Sequence, residues 1–343
     1  MALHKKQHYI PQCYLKMFSD NNTHIWAYDK ISKKSYGVLI SDVCTANNFY
    51  TISDSFIKEN NKLNPFTIEE NFFAEEYEPK FAEKLFHLQQ LANDAYKNNE
   101  LRIRLSRKEK YEFALLLVIQ WFRLPALRIE NEEVFEDMMP KMVRLFQEGL
   151  ALELNNPDIA KLRIQSKIKD KAVYHAESTF MNEDLLDRYS TLLSNNIWTF
   201  NYSVNGDFYT SDFPITVNPH VNNVKPICQG LAQYGAELTF PISKNLLLTI
   251  WDKDYFSDKE SDECKMEVVH GRDLREANHI RTMYAQRQLF SNKNNFEFLD
   301  EKKYSNVSSG IIRELIQNEN YKECEKYTKP EIVQYIEENN LYL

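Results

Sequence analysis

Glycine is scarce in this chain, with 7 among 343 residues, and none of them falls in a GxGxxG or GxxxxGK[ST] array. Loops that cradle phosphate on closely packed backbone amides need such arrays, so nucleotide-binding folds of the Rossmann and P-loop kinds are excluded. Cysteine is little used as well. Cys13, Cys44, Cys228, Cys264 and Cys324 are odd in number, scattered and never spaced as CxxC. That excludes a zinc ribbon and a disulfide framework, and reduced thiols in a cytoplasm are the expectation. Excess positive charge is also missing: 42 Lys and Arg stand against 50 Asp and Glu, a formal charge of −8. A global basic field that would coat nucleic acid is therefore absent, leaving only local patches for that role. No apolar run reaches the roughly 20 residues that span a bilayer, and residues 1–7 lack the apolar core of a signal peptide. A membrane partner is not expected.

What is abundant is apolar and aromatic mass. Hydrophobic residues make up 43% of the chain, and 20 Tyr and 21 Phe are among them, enough to build a large buried core. Pro11 stands where a short helix would begin, with Tyr14, Leu15 and Phe18 at helical spacing behind it. Residues 23–28 and 35–40 alternate as the two strands of a β-hairpin. Thr67 with Glu70, and Ser106 with Glu109, have the spacing of capping boxes that open helices. Phe73, Tyr77, Phe81, Leu85 and Leu88 then mark one amphipathic face. From Leu115 the chain is apolar on every side until Gln120, Arg123 and Arg128 interrupt it, so the helix that carries this stretch should be covered all round. Further helices are expected over 134–150 and 171–193. Strands are expected over 197–204, 207–210, 236–240 and 245–251, with Asn205-Gly206 as a hairpin turn. Helices at 273–288, at 308–317 and from Pro330 close the chain. The expected fold is a single α+β domain over 1–343, with a predominantly helical middle. A small, mostly antiparallel sheet is expected from the amino-terminal hairpin and the strands around 196–251.

Four constellations could carry chemistry. His8, with His4 four residues before it, could serve as a general base or share a divalent metal, or simply pack at the amino-terminal corner. Gln120 and Arg123 share a face of the central helix, and Pro125 disturbs that helix just beyond them. Arg123 could clamp a phosphate or carboxylate, or tie the helix to an acidic residue of the 69–78 run. Thr210, Ser211 and Asp212 stand at a strand end before Pro214, suited to holding backbone, a metal or a histidine. Asn278 and His279 sit among Arg272, Arg275, Arg281 and Arg287, either a basic patch or a solvated helical face.

Taken in order, His8-Tyr9-Ile10-Pro11-Gln12 with Tyr14, Leu15 and Phe18, then Gln120, Arg123 and Pro125, then Thr210-Ser211-Asp212 with Pro214, then Phe240-Pro241-Ile242-Ser243 resemble the successive motifs of the DUF4238 family, a domain of unknown function. The resemblance runs over about 8–291 and leaves a helical carboxy-terminal extension over about 292–343. Cys13 and Phe213 stand where the family pattern leads one to expect an aromatic residue and an asparagine. The resemblance implies no activity. It implies that His8, Gln120, Arg123, Thr210, Ser211, Asp212 and Asn278 form one recurring polar set, which would make a pocket if gathered in space. The expected function is a phosphoester hydrolase or nuclease-like effector in a bacterial or phage conflict setting. His8, Arg123 and Asp212 would be catalytic, and Gln120, Thr210, Ser211 and Asn278 would bind substrate. The cofactor is unknown, with a divalent metal as one candidate, and a small anion or nucleic acid is the candidate partner. The alternatives are a non-catalytic module for a small anion, nucleotide or protein, and a purely structural polar network.

Overall fold

A computed structural model describes residues 6–60, 64–221 and 230–296, and its compact unit ending at Lys293 holds an α+β fold. His4, the helices expected at 308–317 and from Pro330, and Cys228 and Cys324 lie outside the described residues.

Strand β1 (Lys6–His8) pairs antiparallel with β4 (Thr45–Asn47). Proline fixes the backbone dihedral that a first helical turn needs, and helix α1 (Gln12–Lys16) begins directly after Pro11. Its Tyr14 and Leu15, with Phe18 beyond, are fully buried. The expected hairpin follows as β2 (His24–Asp29) and β3 (Lys34–Leu39). Asp29 stabilises the turn by accepting from the amides of Ile31 and Ser32.

Helix α2 (Asp54–Glu59) precedes a departure from expectation. Thr67 does not cap forward onto Glu70. Its hydroxyl bonds back to the amide and carbonyl of Asn64, and the chain winds as a π-helix over Ile68–Tyr77 before α3 (Glu78–Lys97). The apolar face nevertheless forms, since Phe73, Tyr77, Phe81, Leu85 and Leu88 are all buried. Ser106 and Glu109 make a complete capping box at the start of α4 (Arg107–Phe122). This helix buries residues on every side, as its composition requires. Pro125 opens α5 (Pro125–Glu153). The single helix expected over 171–193 is broken into α6 (Lys171–Ser178) and α7 (Glu183–Asn195), because Asn182 caps the second by accepting from the Leu185 amide.

The later strands are β5 (Ile197–Tyr202), β6 (Thr210–Ser211), β7 (Thr216–Pro219), β8 (Ala236–Pro241), β9 (Leu246–Trp251) and β10 (Met266–Val268). Helix α8 (Gly271–Tyr284) and β11 (Gln288–Ser291) complete the unit. One sheet has the order β10-β5-β9-β8-β7, with only β10 and β5 parallel, and a second has the order β3-β2-β11-β6. Of the later strands, β6 and β11 alone join the amino-terminal hairpin. Gly206 does turn, with φ +68, but residues 207–209 do not return along β5. Both edges of β5 are already taken, by β9 and β10. The returning segment instead bonds outward, Phe208 N to Lys244 O and Tyr209 N to the side chain of Asn278.

Aromatic rings join the layers. Tyr14 stacks on Phe240 at 5.0 Å, Phe81 on Phe113 at 6.3 Å, and Phe113 meets Trp198 edge-on at 6.2 Å. The core therefore runs from α1 through α3 and α4 to one face of the β5-β9-β8 sheet, the face of Trp198, Phe200, Phe240, Leu248 and Ile250. Among the described residues no helix is long and apolar enough to cross a membrane.

Candidate functional site

Helix α4 stops at Arg123 because Pro125 has no amide hydrogen to continue it and forces Leu124 into an extended conformation. The stop leaves Arg123 fully buried at the end of the helix. Its Nη2 donates to the His8 carbonyl at 2.6 Å and to Glu78 Oε1 at 2.9 Å, and its Nε donates to the Tyr50 hydroxyl at 3.2 Å. The guanidinium lies 3.9 Å from the centre of the Phe73 ring. One turn earlier, Gln120 Nε2 donates to the Tyr9 carbonyl at 3.0 Å, and its Oε1 accepts from Tyr77. Two side chains three residues apart on α4 thus hold consecutive carbonyls of the His8-Tyr9 segment.

Four buried polar atoms in the segments that meet Arg123 have no partner among the described residues: Arg123 Nη1, His8 Nε2, Gln7 Nε2 and Glu69 Oε2. The Arg123 charge acts on His8 and Glu69, and Gln7 is tied in through its Oε1, which accepts from the Tyr50 amide. Gln7 and Arg123 are themselves completely buried. Unmet donors and acceptors in a protein interior cost free energy, so each of these atoms calls for an explanation. Glu69 belongs to the π-helix, a winding that recurs at functional sites.

The electrostatics separate the titratable groups. Burial, reinforced by the Arg123 charge, lowers the His8 imidazole below its usual value, which favours the neutral ring near pH 7. Burial raises Glu69 to about 7, with Arg123 opposing and Glu78 reinforcing the rise. An imidazole favoured neutral and a carboxyl raised toward neutrality thus share the field of one cation. Burial pushes the Cys13 thiol up to about 12, so it remains protonated beside the Glu78 carbonyl. Among the described residues no three His, Cys, Asp or Glu side chains are grouped to hold a metal ion.

His8, Gln120 and Arg123 are therefore brought together. Thr210, Ser211, Asp212 and Asn278 form a second group around β6, and each holds local structure. Thr210 shares a 2.7 Å hydrogen bond with the Tyr14 hydroxyl, which also donates to Pro241 O. Ser211 closes a turn onto the carbonyl and amide of Phe213. Asn278 clamps the strand from α8, accepting from Tyr209 N and donating to Asp207 O. Asp212 accepts from the amides of Gln286, Arg287 and Gln288 at 2.8–3.0 Å. Burial nonetheless raises the Asp212 carboxyl, against those three amides. Replacing Asp212 with alanine would orphan all three amides. Unfolding free energy should fall by about 2 kcal/mol, and hydrogen exchange should accelerate at Gln286, Arg287 and Gln288; unchanged exchange there would disprove this role.

The basic patch weighed for α8 is not a solvated face throughout. Arg281 is buried, with Nη1 on Pro214 O and Nη2 on Thr239 Oγ1, and burial pushes its guanidinium down to about 10. Its position three residues after Asn278, on the same inward face, is the signal that spacing offered. Arg287 pairs with Asp29 across the sheet. Gln7, Tyr50 and Glu69 were not legible as site residues. Glu69 reads as one of several acids off an apolar face, and only the π-helical winding turns it inward.

An α+β unit whose amino-terminal strand is gripped by a glutamine and an arginine of its central helix defines the class. The chain belongs to the DUF4238 family, described as a protein of unknown function, whose profile matches residues 6–295. No curated protein and no solved structure matches it.

Proposed function

We propose that the Arg123 recess is the active site of a hydrolase acting on phosphoesters. The observation that carries this is that the fully buried Arg123 guanidinium leaves Nη1 without a partner among the described residues, while its charge acts on two further groups that hold a partnerless atom, His8 and Glu69. Arg123 Nη1 is the donor for phosphoryl oxygens, since a planar guanidinium suits charge that develops on them. His8, favoured neutral near pH 7, takes the proton of the attacking water through Nε2. Glu69, near pKa 7, gives its proton to the leaving oxygen. On this reading Asp212 and Asn278 position the β6 and β11 backbone and do not touch substrate.

The test is turnover of a phosphomonoester and phosphodiester panel that includes single-stranded DNA and RNA. His8→Gln and Glu69→Gln should each lose about a hundredfold in turnover while circular dichroism stays native. Wild-type protein that cleaves nothing in the panel, or a His8→Gln variant of full activity, would sink the proposal.

A second reading is favoured by the 2.9 Å pair between Arg123 and Glu78, which already neutralises the cation. The recess would then bind a small anion or nucleotide without chemistry. Ligand at a hundredfold excess over its Kd would stabilise the fold by about 2.7 kcal/mol with no product formed.

A further inference from the structure

A cavity lies on another side of α4 from the buried Arg123 cluster. Trp121 and Phe122 follow Gln120 on α4, so they point from other sides of that helix, and they line a cavity of about 510 Å³ together with Tyr189, Phe213, Tyr284 and Glu130. That volume suits a small organic molecule. Trp121 and Phe213 meet edge-to-face at 5.5 Å and 81°, and Phe122 and Tyr189 at 5.8 Å and 71°. Rings set near right angles build adjoining walls, and an aromatic face carries a negative potential that attracts a cation. Glu130 is the one charged residue among the lining residues described, and it has no hydrogen bond or ion pair with a described residue.

We propose that this cavity binds an organic cation, an ammonium head on an apolar body, with the head held by the aromatic walls and Glu130. An anionic ligand would meet the Glu130 carboxylate with no basic side chain among the described lining residues to offset it, and a purely apolar ligand would leave that carboxylate beside it unmatched. Phe213 supplies one wall. The proposal stands on its own residues and does not depend on the Arg123 reading.

The experiment is isothermal titration of the full chain with benzyltrimethylammonium, with benzyl alcohol as the neutral probe and phenylmethanesulfonate as the anionic one. The cation should bind saturably and quench part of the tryptophan fluorescence, and the other two should bind at least fivefold more weakly. Glu130→Gln, at an exposed position without a partner, should weaken the cation about fivefold, and Phe213→Asn should do so as well. No saturation at tens of millimolar, equal binding of the neutral probe, or full affinity in Glu130→Gln would each overturn the proposal.

Discussion

Replacing Arg123 with alanine should lower the unfolding free energy by about 3–5 kcal/mol, the cost of breaking a buried ion pair from one side. Three losses combine. Glu78 is left without its 2.9 Å partner, the His8 carbonyl loses a 2.6 Å donor, and the Tyr50 hydroxyl loses the Nε contact. The guanidinium also fills space against Phe73, so truncation opens a gap in an aromatic cluster. Arg123→Lys keeps the charge, but one ammonium cannot span the His8 carbonyl, Glu78 and Tyr50, and it should recover only part of the loss. Urea denaturation measures both. A loss below about 1 kcal/mol in the alanine variant would show that the network does not hold the fold. This outcome also fixes how function is tested, because an unstable Arg123 variant says nothing about chemistry and the burden falls on His8 and Glu69.

The second large effect is in the pH dependence of stability, where two buried groups act in opposite senses. His175 is fully buried, and burial pushes its imidazole down to about 3, against an ordinary value of 6.5. Between those values the unfolded chain carries a proton that the folded one lacks, so the His175 contribution falls as pH falls, by up to about 1.4 kcal/mol per unit. The lowered His8 adds to the same slope. Glu69 does the reverse. Its folded value near 7 lies above the ordinary 4.5, so the folded state holds a proton that the unfolded chain has released, and the Glu69 contribution rises as pH falls from 7 to 4.5. The two slopes oppose each other between pH 4.5 and 6.5. Glu69→Gln should therefore be more stable than wild type at pH 8, by on the order of 2 kcal/mol, with the advantage gone at pH 4.5 and a steeper decline below pH 6.5. His175→Leu should tilt the profile the other way. Denaturation midpoints across pH 4.5–8 read both, and parallel profiles for wild type and Glu69→Gln would refute the placement of Glu69.

Much of this was legible because it is governed by local rules. The all-apolar surface of residues 115–119 required a covered helix, and α4 is one. Ser106 and Glu109 specify a cap by spacing alone, and Pro125 specifies the break that buries Arg123. The expectation that Arg123 could tie the helix to the acidic 69–78 run names the contact it makes, with Glu78. What was not legible depends on distant partners. Asn205-Gly206 has a strong hairpin signal, yet the strand it should return to has both edges occupied by segments more than 40 residues later in the chain. Thr67 and Glu70 have capping-box spacing, but Asn64 competes for the hydroxyl and the π-helix results. That competition decides which glutamate turns inward, so Glu69 could not be separated from its neighbours by composition or period.

The most direct test of the account is the affinity for diethyl phosphate, a phosphodiester whose own charge does not change over pH 5.5–8.5, measured by titration calorimetry across that range. If the partnerless donor of Arg123 holds a phosphoryl group beside Glu69, binding should be tightest where Glu69 is protonated and should weaken at least tenfold as pH rises through about 7. Glu69→Gln should bind equally at both ends of the range. Affinity that is flat with pH in the wild type, or a pH dependence that survives in Glu69→Gln, would contradict the assignment of this recess as a phosphoester site.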